Sequence, residues 1–148
     1  MHHPEIPALS HYVPAHEGPE DELAKTFPLQ LITWKGKNRA NSTQYANPWL
    51  IEVQQQKLWI NPQDAQKRGI AQGDTVRIHN ARGICEIPAE VTPRIMPGVV
   101  AMQAGAWWQP DERGIDKGGC ANVLSSARIT ALAKGNSHQT MLVEVAKA

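Results

Sequence analysis

The chain has 148 residues, 41% of them hydrophobic, with 15 Lys and Arg set against 14 Asp and Glu. That size suits one domain around one core, and the balanced charge excludes a basic field that would draw nucleic acid or an anionic membrane from a distance. No apolar stretch approaches the roughly 20 residues of a membrane-spanning helix, so direct membrane insertion is not expected. Cys85 and Cys120 are too few and too far apart for a zinc cluster.

Residues 1–26 are rich in Pro, His and acids and lack the apolar core of a signal peptide. They read as an interdomain linker, largely irregular and loosely attached. Order is expected from Phe27, where "FPLQLITW" alternates Leu29 and Leu31 with Gln30 and Ile32 as a strand does. "KGKNRANSTQYAN" follows as a polar loop. "PWLIEV" and "KLWINP" read as two short extended segments. A helix of about two turns comes next, with Asn61 as N-cap, Pro62 in the first position, Asp64 placed for a capping box and Gly69 as the left-handed terminator.

Gly73 and Asp74 then turn the chain into "TVRIH", with Val76 and Ile78 inward and Arg77 and His79 outward. On that reading Arg77 is a surface residue of small energetic weight. "NARG" is a tight turn with Gly83 at its permissive position, and "ICEIPAEV" returns with Cys85, Ile87, Ala89 and Val91 on one face. Pro88 predicts an edge or a bulge there. "MPGVVAMQAG" supplies a further strand, a long aperiodic stretch runs through "DKGGCANVLSSARIT", and "QTMLVEVAKA" closes the chain as a strand. Short strands at even spacing with few helices predict a mainly β protein, a closed or nearly closed barrel.

Reactive groups are sparse. His2, His3, His11 and His16 lie in the linker, and His79 and His138 have no ligand-spaced partner. No Gly-x-Ser-x-Gly elbow occurs, and Asp111, Glu112 and Asp116 read as solvated loop charge. No self-contained catalytic or metal site is expected. Binding groups are better represented: Lys35, Lys37 and Arg39 with Asn41, Ser42 and Thr43 are the types that hold phosphate by charge-assisted hydrogen bonds, although an ordinary solvated loop has the same composition. "AGAWW" offers small residues for close backbone approach and two tryptophans, one of which can stack on a heterocycle. "DKGGCANVL" and "GNSHQT" add amides.

In this order, "FPLQLIT", "NPWL", "WINPQDAQKRGIAQGDTVRIHNARG", "PGVVAMQAGAWW", "DKGGCANVL" and "HQTMLVEV" resemble the C-terminal molybdopterin-dinucleotide-binding domain of the dimethyl sulfoxide reductase family, with details most similar to the catalytic subunits of anaerobic dimethyl sulfoxide reductases. The resemblance implies a double-psi β-barrel of about six strands over residues 27–148, with a few short helices. It also implies bis(molybdopterin guanine dinucleotide) with molybdenum as the cofactor of the intact subunit, and reduction of dimethyl sulfoxide or a related S- or N-oxide in anaerobic respiration.

Carried over by position, Thr33, Trp34, Lys35, Arg39, Asn41, Ser42 and Thr43 would lie along a pyrophosphate, Asn41 standing where many relatives carry His. Trp107, Trp108, Asn122, Asn136 and Gln139 would approach the pterin and its linker. The molybdenum ligand would come from an earlier domain, so the isolated fragment is expected to be inactive. The remaining domains of the catalytic subunit, an iron–sulfur electron-transfer subunit and a membrane anchor subunit are the implied partners, at the periplasmic face of the inner membrane. Two readings on related barrels compete: an adaptor module that binds peptide without cofactor, and a pyruvoyl-dependent decarboxylase. The first has no use for two polar loops, and the second needs a Gly-Ser pair that the chain lacks.

Overall fold

The computed structural model describes residues 9–10, 12–130, 133–136 and 139–148. Six strands close a barrel in the order β1-β5-β2-β4-β3-β6: β1 (Leu29–Trp34), β2 (Leu58–Ile60), β3 (Thr75–His79), β4 (Ile84–Val91), β5 (Val99–Gln103) and β6 (Met141–Lys147). β1 pairs with β5 and β2 with β4 in parallel, and the remaining neighbours are antiparallel. Two short helices, α1 (Pro48–Val53) and α2 (Pro62–Lys67), and two 3-10 helices, Glu22–Lys25 and Ala121–Leu124, complete it. This is the mainly β, six-stranded double-psi barrel that the resemblance implies.

The two-residue period decides the core. Leu29, Leu31, Leu58, Ile60, Val76, Ile78, Val100 and Met102 alternate inward and are buried, together with Cys85, Ile87 and Ala89 of β4. Pro88 causes no break, because β4 is bridged to Asp116 beside Cys85 and meets β2 only from Ala89 onward. Pro88 falls in the gap, where a missing N–H costs no ladder bond.

Strand direction puts the loops where they are needed. Because β1 and β5 are parallel, the segments after Trp34 and after Gln103 leave the same end of the barrel, and Ala104 N donates to Trp34 O at 2.9 Å. β6 is antiparallel to β1, so the residues before Met141 arrive at that end, as does the turn after β3. The other end carries α2 and the Gly73 turn. There α2 starts as expected, Asn61 Oδ1 accepting from Gln63 N at 2.9 Å, and Gly69 follows it at φ +64°. Asp64 departs from the capping-box reading: its carboxylate is buried and accepts from Gly98 N at 2.7 Å, pinning the loop before β5.

Three further expectations change. "PWLIEV" is helix α1, not an extended segment, because Asn47 Oδ1 accepts from Trp49 N at 3.1 Å and Pro48 fits the first turn. Arg77 is no idle surface residue: its Nη2 and Nε lie 2.7 and 2.9 Å from Glu86 Oε1, and Glu86 is buried and also bound by Lys117. The segment before the barrel is fastened at Glu17, a buried residue paired to Arg82.

Candidate cofactor site

At the loop-bearing end, a cleft of about 270 Å³ is lined by Thr33, Lys35, Asn41 and Ser42 from β1 and its loop, by Ala104, Gly105 and Ala106 after β5, and by Cys120, Ala121 and Asn122. Among the described residues Lys35 is its one charged lining residue. Its ammonium donates to Asn41 Oδ1, which leaves further N–H bonds for a ligand.

Loop geometry depends on glycine at one crossing. Gly105 sits at φ +90°, and a Cβ there would lie 1.9 Å from Asn41 O, so only a bare backbone lets the two loops touch. The Trp107 indole N–H donates to Ser42 O at 3.0 Å, and its ring lies 5.8 Å from that of Tyr45. Trp107 therefore braces the Ser42 loop. Gln139 braces Thr33: its Oε1 accepts from Thr33 N at 2.9 Å and its Nε2 donates to Thr33 Oγ1 at 2.8 Å.

Asp116 holds the third wall. It is fully buried, which corrects its reading as solvated charge. Its carboxylate accepts from Gln109 N at 2.8 Å, Gly118 N at 3.1 Å and Cys120 N at 2.6 Å, so the anion is satisfied by backbone donors at the root of the Cys120–Asn122 wall. Its place just ahead of Lys117 and two glycines is the one local signal of such a turn. Burial pushes the Cys120 thiol up, and burial with the Asp116 carboxylate pushes Cys85 further. Neither thiol supplies a nucleophile at neutral pH.

Thr33, Lys35, Asn41, Ser42 and Asn122 thus meet around one cleft, with Gln139 and Trp107 bracing it. Other candidates lie elsewhere. Trp34 points to the outer wall and stacks on Trp59 at 5.0 Å. Arg39 turns the opposite way from Lys35, its Nη2 donating to Gln56 Oε1 at 2.8 Å and its guanidinium 5.1 Å from the Tyr45 ring centroid. Burial lowers its pKa, and its Nε has no hydrogen-bond partner. Thr43 N donates to Ala40 O, Asn136 bridges to Ile129, and Trp108 is exposed. Gln56 escaped the sequence reading: it donates to Gln103 O at 2.8 Å and Gly119 O at 3.0 Å, tying the loops together. Nothing in "QQQ" singles it out. Of the histidines, His2, His3, His11 and His138 lie outside the described residues, among which no group of three His, Cys, Asp or Glu could hold a metal.

Among the described residues the lining offers one cation, two hydroxyls, two amides and a glycine-lined backbone, with no acid among them, which suits an anionic ligand that carries amide-bearing rings. Comparison with known proteins agrees: residues 29–142 match the family described as Molydopterin dinucleotide binding domain. The chain belongs to this family. It is 52% identical over 143 residues to dimethyl sulfoxide reductase DmsA of Escherichia coli (strain K12), covering 96% of this chain and 17% of that protein. To the trimethylamine-N-oxide reductase of Haemophilus influenzae (strain ATCC 51907 / DSM 11121 / KW20 / Rd) it is 38% identical, over 84% of this chain and 16% of the other. This molybdopterin domain spans about a sixth of the length of such relatives. Among solved structures, acetylene hydratase from Pelobacter acetylenicus superposes with a TM-score of 0.72 at 16% identity, over 90% of this chain and 21% of that one, which is a likeness of fold.

Proposed function

We propose that the loop-bearing end of the barrel holds the dinucleotide part of a molybdopterin guanine dinucleotide inside the catalytic subunit of an S- or N-oxide reductase of anaerobic respiration. The observation that carries this is the convergence of Thr33, Lys35, Asn41, Ser42 and Asn122 on one cleft whose only charged lining group among the described residues is a cation. Lys35 would neutralise phosphate charge, the Ser42 and Thr33 hydroxyls and the Asn41 and Asn122 amides would donate to phosphate or ring edges, and the apposed Gly105 backbone would exclude water. When bound, the cofactor's molybdenum supplies the oxygen-atom and electron transfer, and this domain supplies position. High identity to a dimethyl sulfoxide reductase over nearly the whole chain supports that class of substrate. By the same likeness, the remaining domains of the subunit, an iron–sulfur electron-transfer subunit and a membrane anchor are its partners, at the periplasmic face of the inner membrane.

The test uses guanosine 5′-diphosphate, which carries the guanine and pyrophosphate of the dinucleotide. Titrated into the 148-residue chain, it is expected to shift the amide resonances of Thr33, Lys35, Ser42, Gly105 and Asn122. Lys35→Ala should weaken binding by about tenfold, the loss of one charge-assisted hydrogen bond. Lys57→Ala, on the outer wall beside Trp34 and Trp59, should leave it unchanged. Equal affinity in the two variants, or shifts clustered away from the cleft, would overturn the assignment.

A further inference from the structure

The turn after β3 grips more than its own strands. Asn80 Nδ2 donates to Leu124 O at 2.8 Å and to Leu142 O at 3.2 Å, while Arg82 Nε and Nη2 donate to the same Leu124 O at 2.8 and 2.6 Å. Gly83 explains itself here. It does not adopt a positive φ, against the turn reading, but a Cβ on it would stand 2.7 Å from Val123 O. The turn is therefore pressed against the 3-10 helix Ala121–Leu124, whose first residues, with Cys120 before them, line the cofactor cleft.

The other side of Arg82 reaches the segment ahead of the barrel. Its Nη1 and Nη2 donate to Glu17 Oε1 and Oε2, both at 2.7 Å, and the Glu17 side chain is only 3% exposed. Leu142 N also faces Glu17 Oε2 at 3.3 Å, just inside β6, and His16 Nε2 lies 3.5 Å from Oε1. Glu17 itself sits at φ +55°, a backbone conformation that a glutamate adopts only when its surroundings impose it. A buried ion pair of this kind contributes little net stability against its desolvation, yet it fixes geometry firmly, since either partner alone would be left as an unpaired charge.

We infer that Glu17 and Arg82 are positioning residues for the cofactor cleft: the incoming segment, through the Glu17 carboxylate, sets the Arg82 guanidinium that holds the Leu124 carbonyl, and so fixes the Cys120–Asn122 wall. The inference rests on the cofactor reading for its purpose but not for its geometry. It makes the segment before the barrel part of the binding apparatus, although that segment touches no ligand.

Hydrogen exchange of the 148-residue chain tests it, with Glu17→Gln and Arg82→Lys as variants. The amides to follow are Val123 and Ser125, which donate to Cys120 O and Asn122 O at 3.2 and 3.3 Å. Both variants should speed their exchange by about tenfold or more, as expected when a charged hydrogen bond to the clamp is lost, while Val76 and Ile78 in β3 keep their protection. Affinity for guanosine 5′-diphosphate should fall in step. Unchanged exchange at Val123 and Ser125, or acceleration equal to that of Val76 and Ile78, would overturn the clamp, the second outcome marking general destabilisation. Local acceleration in a chain that does not bind the nucleotide would sink the cofactor reading and leave the clamp standing.

Discussion

The two ends of the barrel were built by different means. At the α2 end, the turns start and stop by neighbours in sequence: Asn61 caps α2, Gly69 follows it in the left-handed region, and Asp74 Oδ2 accepts from Ala71 N at 2.8 Å within one turn, with a few distant bonds such as Asp64 to Gly98 and Arg68 to Glu144 fastening them. At the cleft end the connections after β1 and β5 are long, and the bonds there join residues far apart: Gln139 to Thr33, Trp107 to Ser42, Gln56 to Gly119, Arg82 to Glu17. Local turn chemistry shapes the first end, and a few distant bonds fasten it to the barrel. A ligand site needs loops that hold one another in shape, and the bonds that do this cross the chain.

Glycine substitutions should separate the two ends most sharply. Gly105→Ala, where a Cβ meets Asn41 backbone at 1.9 Å and φ is +90°, is expected to cost about 2–4 kcal/mol, the sum of strain and loop displacement. Gly69→Ala, at φ +64° with open space around it, should cost about 1–2 kcal/mol from backbone conformation alone. Urea unfolding of both variants measures the difference, and equal losses would mean that the Gly105 crossing can relax.

A smaller effect is expected where the wall meets the long loops. Arg77→Ala removes one of the two cations bound to buried Glu86 and leaves Lys117, which should cost about 1–2 kcal/mol at neutral pH. Its pH dependence has a definite sign. The hydrogen bond from Lys117 first, then that from Arg77, holds the Glu86 carboxyl below its ordinary range against the opposing effect of burial. A carboxyl with a folded pKa below the unfolded one stabilises fully above the unfolded value, about 4.3, and loses that contribution as pH falls through the folded one. The gap in melting temperature between the native chain and Arg77→Ala should therefore narrow in acid. A gap independent of pH would show that Arg77 acts by packing.

The smallest effects belong to α1, which buries none of its residues. Asn47→Ala should cost about 1 kcal/mol through the lost N-cap, whereas Trp49→Ala, 78% exposed, should change stability by less than about 0.5 kcal/mol. A larger loss at Trp49 would place that side chain in a contact with this chain.

Sequence alone determined the barrel and the start and stop of α2, because those depend on a two-residue period, on an N-cap and on turn glycines that act within a few positions of themselves. It also determined, through an ordered series of motifs, the family, and it marked the polar loops that gather at the cleft. Tertiary structure decided which members of those loops share a cleft. Lys35 and Arg39 are both cations in one polar run, yet Lys35 lines the cleft and Arg39 turns to Gln56 and Tyr45. Asp116 and Glu17 are both acids in stretches that look solvated, yet both are buried, one on three backbone N–H groups and one on Arg82. A charged side chain in a long loop takes the partner that barrel closure brings to it, and that partner is set by strand order and direction, which no local pattern of residues encodes.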